Sequence, residues 1–216
     1  MQFIDLKTQQ KRIKNNLDKR IQTVLSHGQY IMGPEVSELE EKLAQYVGVD
    51  YCLSCSSGTD ALLIPLMARG IGPGSAVLTT TFTYIATAEV IKLIGATPIF
   101  VDIDPETFNM NLDLIPDAVN EAKKKGLNPK AIIPVDLFGL PAGYDLIKNI
   151  ARENDLFLLE DAAQGFGGEI KGKKACFFGD AASTSFFPAK PLGCYGDGGA
   201  IFTDDDDLAN MLRSIR

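Results

Sequence analysis

The sequence predicts an α/β protein built on a mostly parallel, seven-stranded sheet flanked by helices, and three observations carry that prediction. From Tyr51 onward, short β-branched runs alternate with longer stretches of helical periodicity, the rhythm of βαβ units. Breaker clusters at Gly72-Pro73-Gly74, Asp104-Pro105-Glu106 and Gly139-Leu140-Pro141 fall where one element hands over to the next. With 216 residues, 45% of them hydrophobic and 23% charged, the chain has the apolar material for one large core.

The elements follow in order. Residues 8–24 are rich in Lys, Arg and Gln with Ile13, Leu17, Ile21 and Leu25 at helical spacing, so they form an amphipathic first helix that ends at His27-Gly28-Gln29-Tyr30. Glu35 to Val47 places Val36, Leu39, Leu43 and Val47 on one stripe of a second helix. These two make an N-terminal helical segment, residues 1–48, ahead of a larger domain, residues 49–216. Strands are expected at 51–54, 76–80, 98–102, 131–135, 156–160, 182–186 and 199–203, with helices at about 58–69, 83–94, 112–124 and 143–153. Asp204 to Asp207 reads as the start of a last helix carrying Leu208, Met211, Leu212 and Ile215. That helix has hardly begun at Arg216, so a further segment is expected beyond it.

Composition narrows the function. There is no run of about 18 apolar residues to span a bilayer, and the stretch from Met1 to Lys7 lacks the apolar region of a signal peptide, so the expected location is the cytoplasm, away from the membrane. A net charge of −7 without a basic cluster argues against nucleic acid, leaving room for a small anion held by local donors. Cys52 and Cys55 have the C-x-x-C spacing but sit in a strand, where residues three apart face opposite ways. No second pair or nearby His completes a zinc set, so buried free thiols are expected and no metal. His27, the only histidine, is read as a helix-end residue.

Three segments carry chemistry. Ser56-Ser57-Gly58-Thr59-Asp60 follows a strand and opens a helix, so unpaired N–H groups, hydroxyls and a close-approach glycine converge on one point suited to an anion; a plain helix cap is the alternative. Leu158-Leu159-Glu160-Asp161-Ala162-Ala163-Gln164 delivers an acidic pair at the carboxyl end of an apolar strand, where open α/β sheets bind ligands. An Asp there would keep a cationic ring nitrogen protonated, with Gln164 one turn on; a cap for the following segment is the plainer reading. Ser183 to Ala200 sets a lone Lys190 among aromatics, Pro and Gly. Apolar surroundings make a neutral amine available to a carbonyl, whereas most lysines are solvated loop residues. A nicotinamide-binding reading fails for want of G-x-G-x-x-G after the first strand of the sheet.

Together and in this order the segments resemble the DegT/DnrJ/EryC1/StrS family of sugar aminotransferases, from Phe3 to Arg216. The anchors are His27 to Glu35, the Ser57-Gly58-Thr59 turn, Phe82-Thr83-Tyr84-Ile85-Ala86-Thr87, Glu160 to Gln164, and Ser185-Phe186-Phe187-Pro188-Ala189-Lys190. The resemblance implies the large domain of the aspartate-aminotransferase type of fold (fold type I), with pyridoxal 5′-phosphate as cofactor. It makes Lys190 the lysine that bonds to the cofactor's aldehyde carbon and moves the reacting proton, and Asp161 the partner of the pyridine nitrogen. Gln164 falls on the ring-hydroxyl side, and the Ser57-Gly58-Thr59 turn with Ser185 falls on the phosphate. Tyr84 stacks on the ring, with Phe82 the alternative.

The resemblance also implies glutamate as amino donor, a nucleotide-linked keto sugar as acceptor and a homodimer with active sites at the interface. Members that dehydrate the sugar have His where this chain has Lys190. The run from Phe187 to Ala200 is similar to that in enzymes that aminate C3 of a UDP-linked 3-keto-N-acetylhexosaminuronic acid for O-antigen and lipopolysaccharide synthesis. A dTDP-keto-deoxysugar acceptor, or a catalytically silent regulator on the same fold, is the alternative. Two departures stand out: family chains continue into a smaller C-terminal domain that this sequence lacks, and Asp136 occupies a position often held by His or Ser.

Overall fold

The computed structural model describes residues 4–216. Met1, Gln2 and Phe3, where the leader argument and the family resemblance begin, lie outside the described residues. Helix α1 (Leu6–His27) starts behind Asp5, whose carboxylate accepts the Thr8 N–H at 3.0 Å, and stops at Gly28, φ 70°. It runs past both ends of the expected 8–24 because these caps lie outside the apolar stripe. None of α1 is buried, and Ile13, Ile21 and Leu25 remain exposed. Helix α2 (Pro34–Val47) buries Leu43, Ala44 and Val47 but leaves Leu39 exposed. An Arg20–Glu38 ion pair joins the two helices.

The main sheet holds β1 (Tyr51–Cys55), β2 (Ser75–Thr80), β3 (Thr97–Val101), β4 (Asn128–Ile132), β5 (Phe157–Asp161), β8 (Ala181–Ser185) and β9 (Gly199–Thr203). A hairpin of β6 (Glu169–Ile170) and β7 (Lys173–Lys174) stands apart. The sheet order is β1-β9-β8-β5-β4-β2-β3. β9 is antiparallel to both neighbours and every other pairing is parallel, so the molecule is α/β with a mostly parallel sheet. Helices α3 (Gly58–Ala68), α4 (Ala86–Leu93) and α7 (Asp206–Ile215) cover one face over Leu53, Val77, Ile133, Leu159 and Ile201. Helices α5 (Ile115–Lys124) and α6 (Tyr144–Glu153) cover Ala76, Leu78, Ile132 and Leu158 on the other, and α2 extends that layer over Cys52, Ala182 and Phe202. Burial on both sides explains why β5, β8 and β9 are buried at every position. Among the described residues no helix is long and apolar enough to cross a membrane.

Four expectations shift. β4 begins at Asn128, three residues early, because Asn128 and Pro129 are recruited by pairing with β2 ahead of a bulge at Lys130, while Pro134 has no N–H for a ladder. Helix α4 begins at Ala86 rather than 83, since residues 82–85 form the bend that carries Tyr84. Leu112–Leu114 is a 3₁₀ turn before α5, where Pro116 suits the first helical turn. The β6–β7 hairpin was not expected. Lys171 and Gly172, φ 52° and 77°, make the tight two-residue turn that suits right-twisted strands, but two-residue strands have no readable periodicity.

Candidate active site

The carboxyl ends of β1, β2, β4, β5 and β8 open on one cavity of about 640 Å³. Ser57, Gly58, Thr59, Tyr84, Asp161, Gln164, Ser185 and Lys190 all line it, although they come from four separate stretches of chain. Phe82 does not; its ring packs against Phe108 and Phe138.

Asp161 is the last residue of β5. Alternation along the strand points it to the α3–α4 side, while neighbouring Glu160 points to the α6 side. Asp161 is 3% exposed. Its Oδ2 accepts the Thr87 hydroxyl at 2.8 Å and its Oδ1 the Ala163 N–H at 3.2 Å. Burial raises its pKa above the ordinary carboxylate value, against the Thr87 and Ala163 hydrogen bonds and the charge of Lys190. A cation in the cavity would reverse that effect of burial.

Lys190 closes a turn after β8, its N–H donating to the Phe187 carbonyl at 2.8 Å, and its Nζ stands 6.0 Å from the centre of the Tyr84 ring. Tyr84 is 67% exposed, so one aromatic face is free at the cavity wall. The Gln164 Oε1 accepts the Phe138 N–H at 3.0 Å, which leaves its Nε2 as a donor.

The anion end is built on α3. Ser57 caps the helix, its Oγ accepting the Asp60 N–H at 3.0 Å, and the Gly58 and Thr59 N–H groups stand in the first turn, where no helical carbonyl reaches them. A Cβ on Gly58 would lie 2.5 Å from the Ser185 Cβ, so only glycine lets α3 meet β8 this closely. Ser185 Oγ accepts the Phe187 N–H at 3.2 Å and keeps its own hydrogen to give.

Other candidates fall elsewhere. Glu160 does not cap the segment after it: fully buried, it accepts N–H groups from Cys176, Phe178 and Gly179. His27 ends α1; its Nδ1 accepts the Gln29 N–H, so Nε2 carries the proton and faces Glu35 at 3.2 Å. Cys52 packs under α2 and Cys55 on the α3 side, and burial pushes both thiols up, Cys55 to about 12. A second cavity of about 560 Å³, lined by Arg69, Lys130 and Arg152, lies at the opposite, amino ends of the central strands and contains none of the expected residues.

Sequence reasoning missed the role of Thr87. It belongs to a quoted motif, but its bond to Asp161 spans 74 positions and has no local signature.

The chain belongs to the DegT/DnrJ/EryC1/StrS aminotransferase family, whose profile matches residues 11–216. It is 55% identical to the UDP-2-acetamido-2-deoxy-3-oxo-D-glucuronate aminotransferase of Pseudomonas aeruginosa over the whole of this chain and 58% of that protein. A Brucella abortus aminotransferase of the family superposes with a TM-score of 0.98 at 55% identity, covering all of this chain and 58% of the other. The ntda structure from Bacillus subtilis, with bound cofactor PMP, gives 0.83 at 34% identity over 92% of this chain and 43% of that one. The chain therefore spans a little over half the length of the curated relative. Aminotransferases of this family are pyridoxal-phosphate dependent, and the buried carboxylate, the free aromatic face, the lysine and the glycine-cradled helix end fit that cofactor's pyridine nitrogen, ring, aldehyde and phosphate.

Proposed function

We propose that the chain is the cofactor-binding part of an aminotransferase that moves an amino group from glutamate to C3 of a UDP-linked 3-keto-N-acetylhexosaminuronic acid. The reading extends to a cytoplasmic homodimer serving O-antigen or lipopolysaccharide synthesis. The relative acting on a 3-oxo sugar of this type, at 55% identity, supports the substrate. The observation that carries the reaction class is a single cavity bounded by the Lys190 amine and the buried Asp161 carboxylate.

Bound pyridoxal phosphate would supply an aldehyde for covalent attachment and an electron sink for the pair released when Cα loses its proton. Asp161 would hold the proton on the pyridine nitrogen, held in turn by Thr87 and Ala163. Gly58, Thr59 and Ser185 would donate to the phosphate, and the Gln164 Nε2 to the ring hydroxyl side. Tyr84 would cover one face of the ring, leaving the amine of Lys190 to take the proton from Cα of the donor and return it at C4′. A proton transfer positioned in this way is worth about 10²–10⁴-fold.

The test is reconstitution with pyridoxal phosphate. The expected result is a visible band that borohydride abolishes and that Lys190→Ala lacks. A colourless wild type would end the reading. Conversion of the band by glutamate, followed by amination of the UDP-linked keto sugar in preference to a dTDP-linked one, separates an enzyme from a silent regulator.

A further inference from the structure

Behind the pocket, on the α6 side of the sheet, lie two carboxyls that the proposed reaction does not use. Asp136 and Glu160 are both 0% exposed. Glu160 accepts three backbone donors and keeps one acceptor site: Oε1 accepts the Cys176 N–H at 2.6 Å, and Oε2 those of Phe178 at 2.7 Å and Gly179 at 3.3 Å. Asp136 is only half satisfied. Its Oδ1 accepts the Ala142 N–H at 3.0 Å and the Tyr144 hydroxyl at 2.7 Å, but Oδ2 has no partner among the described residues. That oxygen is pressed against Gly165, where a Cβ would come within 2.7 Å of it, and Glu160 faces it.

We infer that Asp136 is a positioning residue that keeps a proton on Oδ2 and donates it to Glu160, so that the two carboxyls form one singly charged unit bracing the pocket wall from behind. A buried acceptor without a donor costs about 1–3 kcal/mol, and more when charged. Two ionised carboxylates side by side would each be acceptors only. The ionisable groups facing the pair are Tyr144 on α6 and Cys176 after β7, neither of them cationic; Asp161 on β5 turns to the other side of the sheet, where Lys190 acts on it. A shared proton removes one charge and supplies the missing donor. Glu160, with three N–H donors, is the member that stays ionised. Burial and the charge of Glu160 both push Asp136 well above the usual carboxyl range.

The link to the pocket runs through backbone. The Asp136 N–H donates to the Asp161 carbonyl at 2.9 Å, and the Phe138 N–H, two residues on, donates to Gln164 Oε1 at 3.0 Å. Through Ala142 and Tyr144, the Asp136 side chain ties the 136–144 loop into a closed unit, so it fixes the segment from which both pocket residues hang. The positioning half of the inference rests on the cofactor reading above, whereas the shared proton does not.

Infrared spectra of the chain without cofactor test the proton. The wild type should show the carbonyl stretch of a protonated carboxyl at neutral pH, well above the value of about 4 at which free carboxyls ionise. Asp136→Asn should remove the band and Asp161→Asn should leave it. A wild type without the band, or a band that survives Asp136→Asn, overturns the inference. If Asp136→Asn does not fold, Asp161→Asn decides: persistence supports the assignment and loss overturns it. The positioning role predicts that Asp136→Asn, which keeps a donor toward Glu160, holds the dissociation constant for pyridoxal phosphate within about twofold, whereas Asp136→Ala raises it about tenfold or more. Equal affinities in Ala and Asn variants would refute it. Failure of every variant and the wild type to bind cofactor would instead reject the cofactor reading, leaving the infrared result to stand.

Discussion

At the scale of single residues, Thr87 and Gly58 stand at the two ends of the proposed cofactor site. Thr87 supplies the hydroxyl that Asp161 Oδ2 accepts, so Thr87→Val keeps the shape but strips a buried carboxylate of a donor. The expected cost is about 1–3 kcal/mol in urea unfolding, with Thr87→Ser recovering most of it. At the other end, Gly58→Ala drives a methyl to within 2.5 Å of the Ser185 Cβ, so α3 must withdraw from β8. The outcome to look for in a titration followed by absorbance is cofactor affinity weakened about tenfold or more, with the fold intact. Neither consequence is visible in the string: the Ser-Gly-Thr turn announces an anion site, but the partner that makes its glycine obligatory lies 127 positions away. Asp136 is a similar case. Protonated, it is a neutral donor, as the Ser or His that the family resemblance implies at that position can be.

Among the elements, helix ends and strand cores were legible because their causes are local. Gly48 terminates α2 at φ 88° with its N–H on the Ala44 carbonyl, so Gly48→Ala should destabilise the chain by about 1 kcal/mol in thermal unfolding without changing cofactor affinity. The strands of the main sheet came through as short β-branched, apolar or small-residue runs between breakers because a sheet covered on both faces buries most of their positions. The boundaries that moved did so where a neighbour decides. β2 recruits Asn128 and Pro129 into β4, and residues 82–85 form a bend before α4. The reversed direction of β9 has no local signal either, since its run of five buried residues reads the same in either sense.

For the molecule as a whole, the proposed role of Asp161 links pH to cofactor binding. Its folded pKa is raised, so the stability it contributes is complete below the unfolded value, about 3.9, and is lost as pH rises through the folded value. A bound pyridinium favours the ionised form and removes that loss. Melting curves across a pH series should therefore show a cofactor-induced rise that grows with pH, about 2.7 kcal/mol being available at 100-fold excess over the dissociation constant before that effect is added. A rise that shrinks with pH would mean that Asp161 does not face a cation.

Unaided, the residue order determined the α/β class, the rhythm of the elements and the segments that carry chemistry, because periodicity, breakers and short motifs are properties of neighbours along the chain. Only the folded chain decided that eight residues from four stretches share one cavity, that Glu160 and Asp161 look to opposite sides of the sheet, that Thr87 holds Asp161 at the cavity wall, and that Asp136 is buried behind it. Those contacts are made across the sheet between residues far apart in sequence, and strand order, which sets them, arises from packing both faces rather than from any one segment.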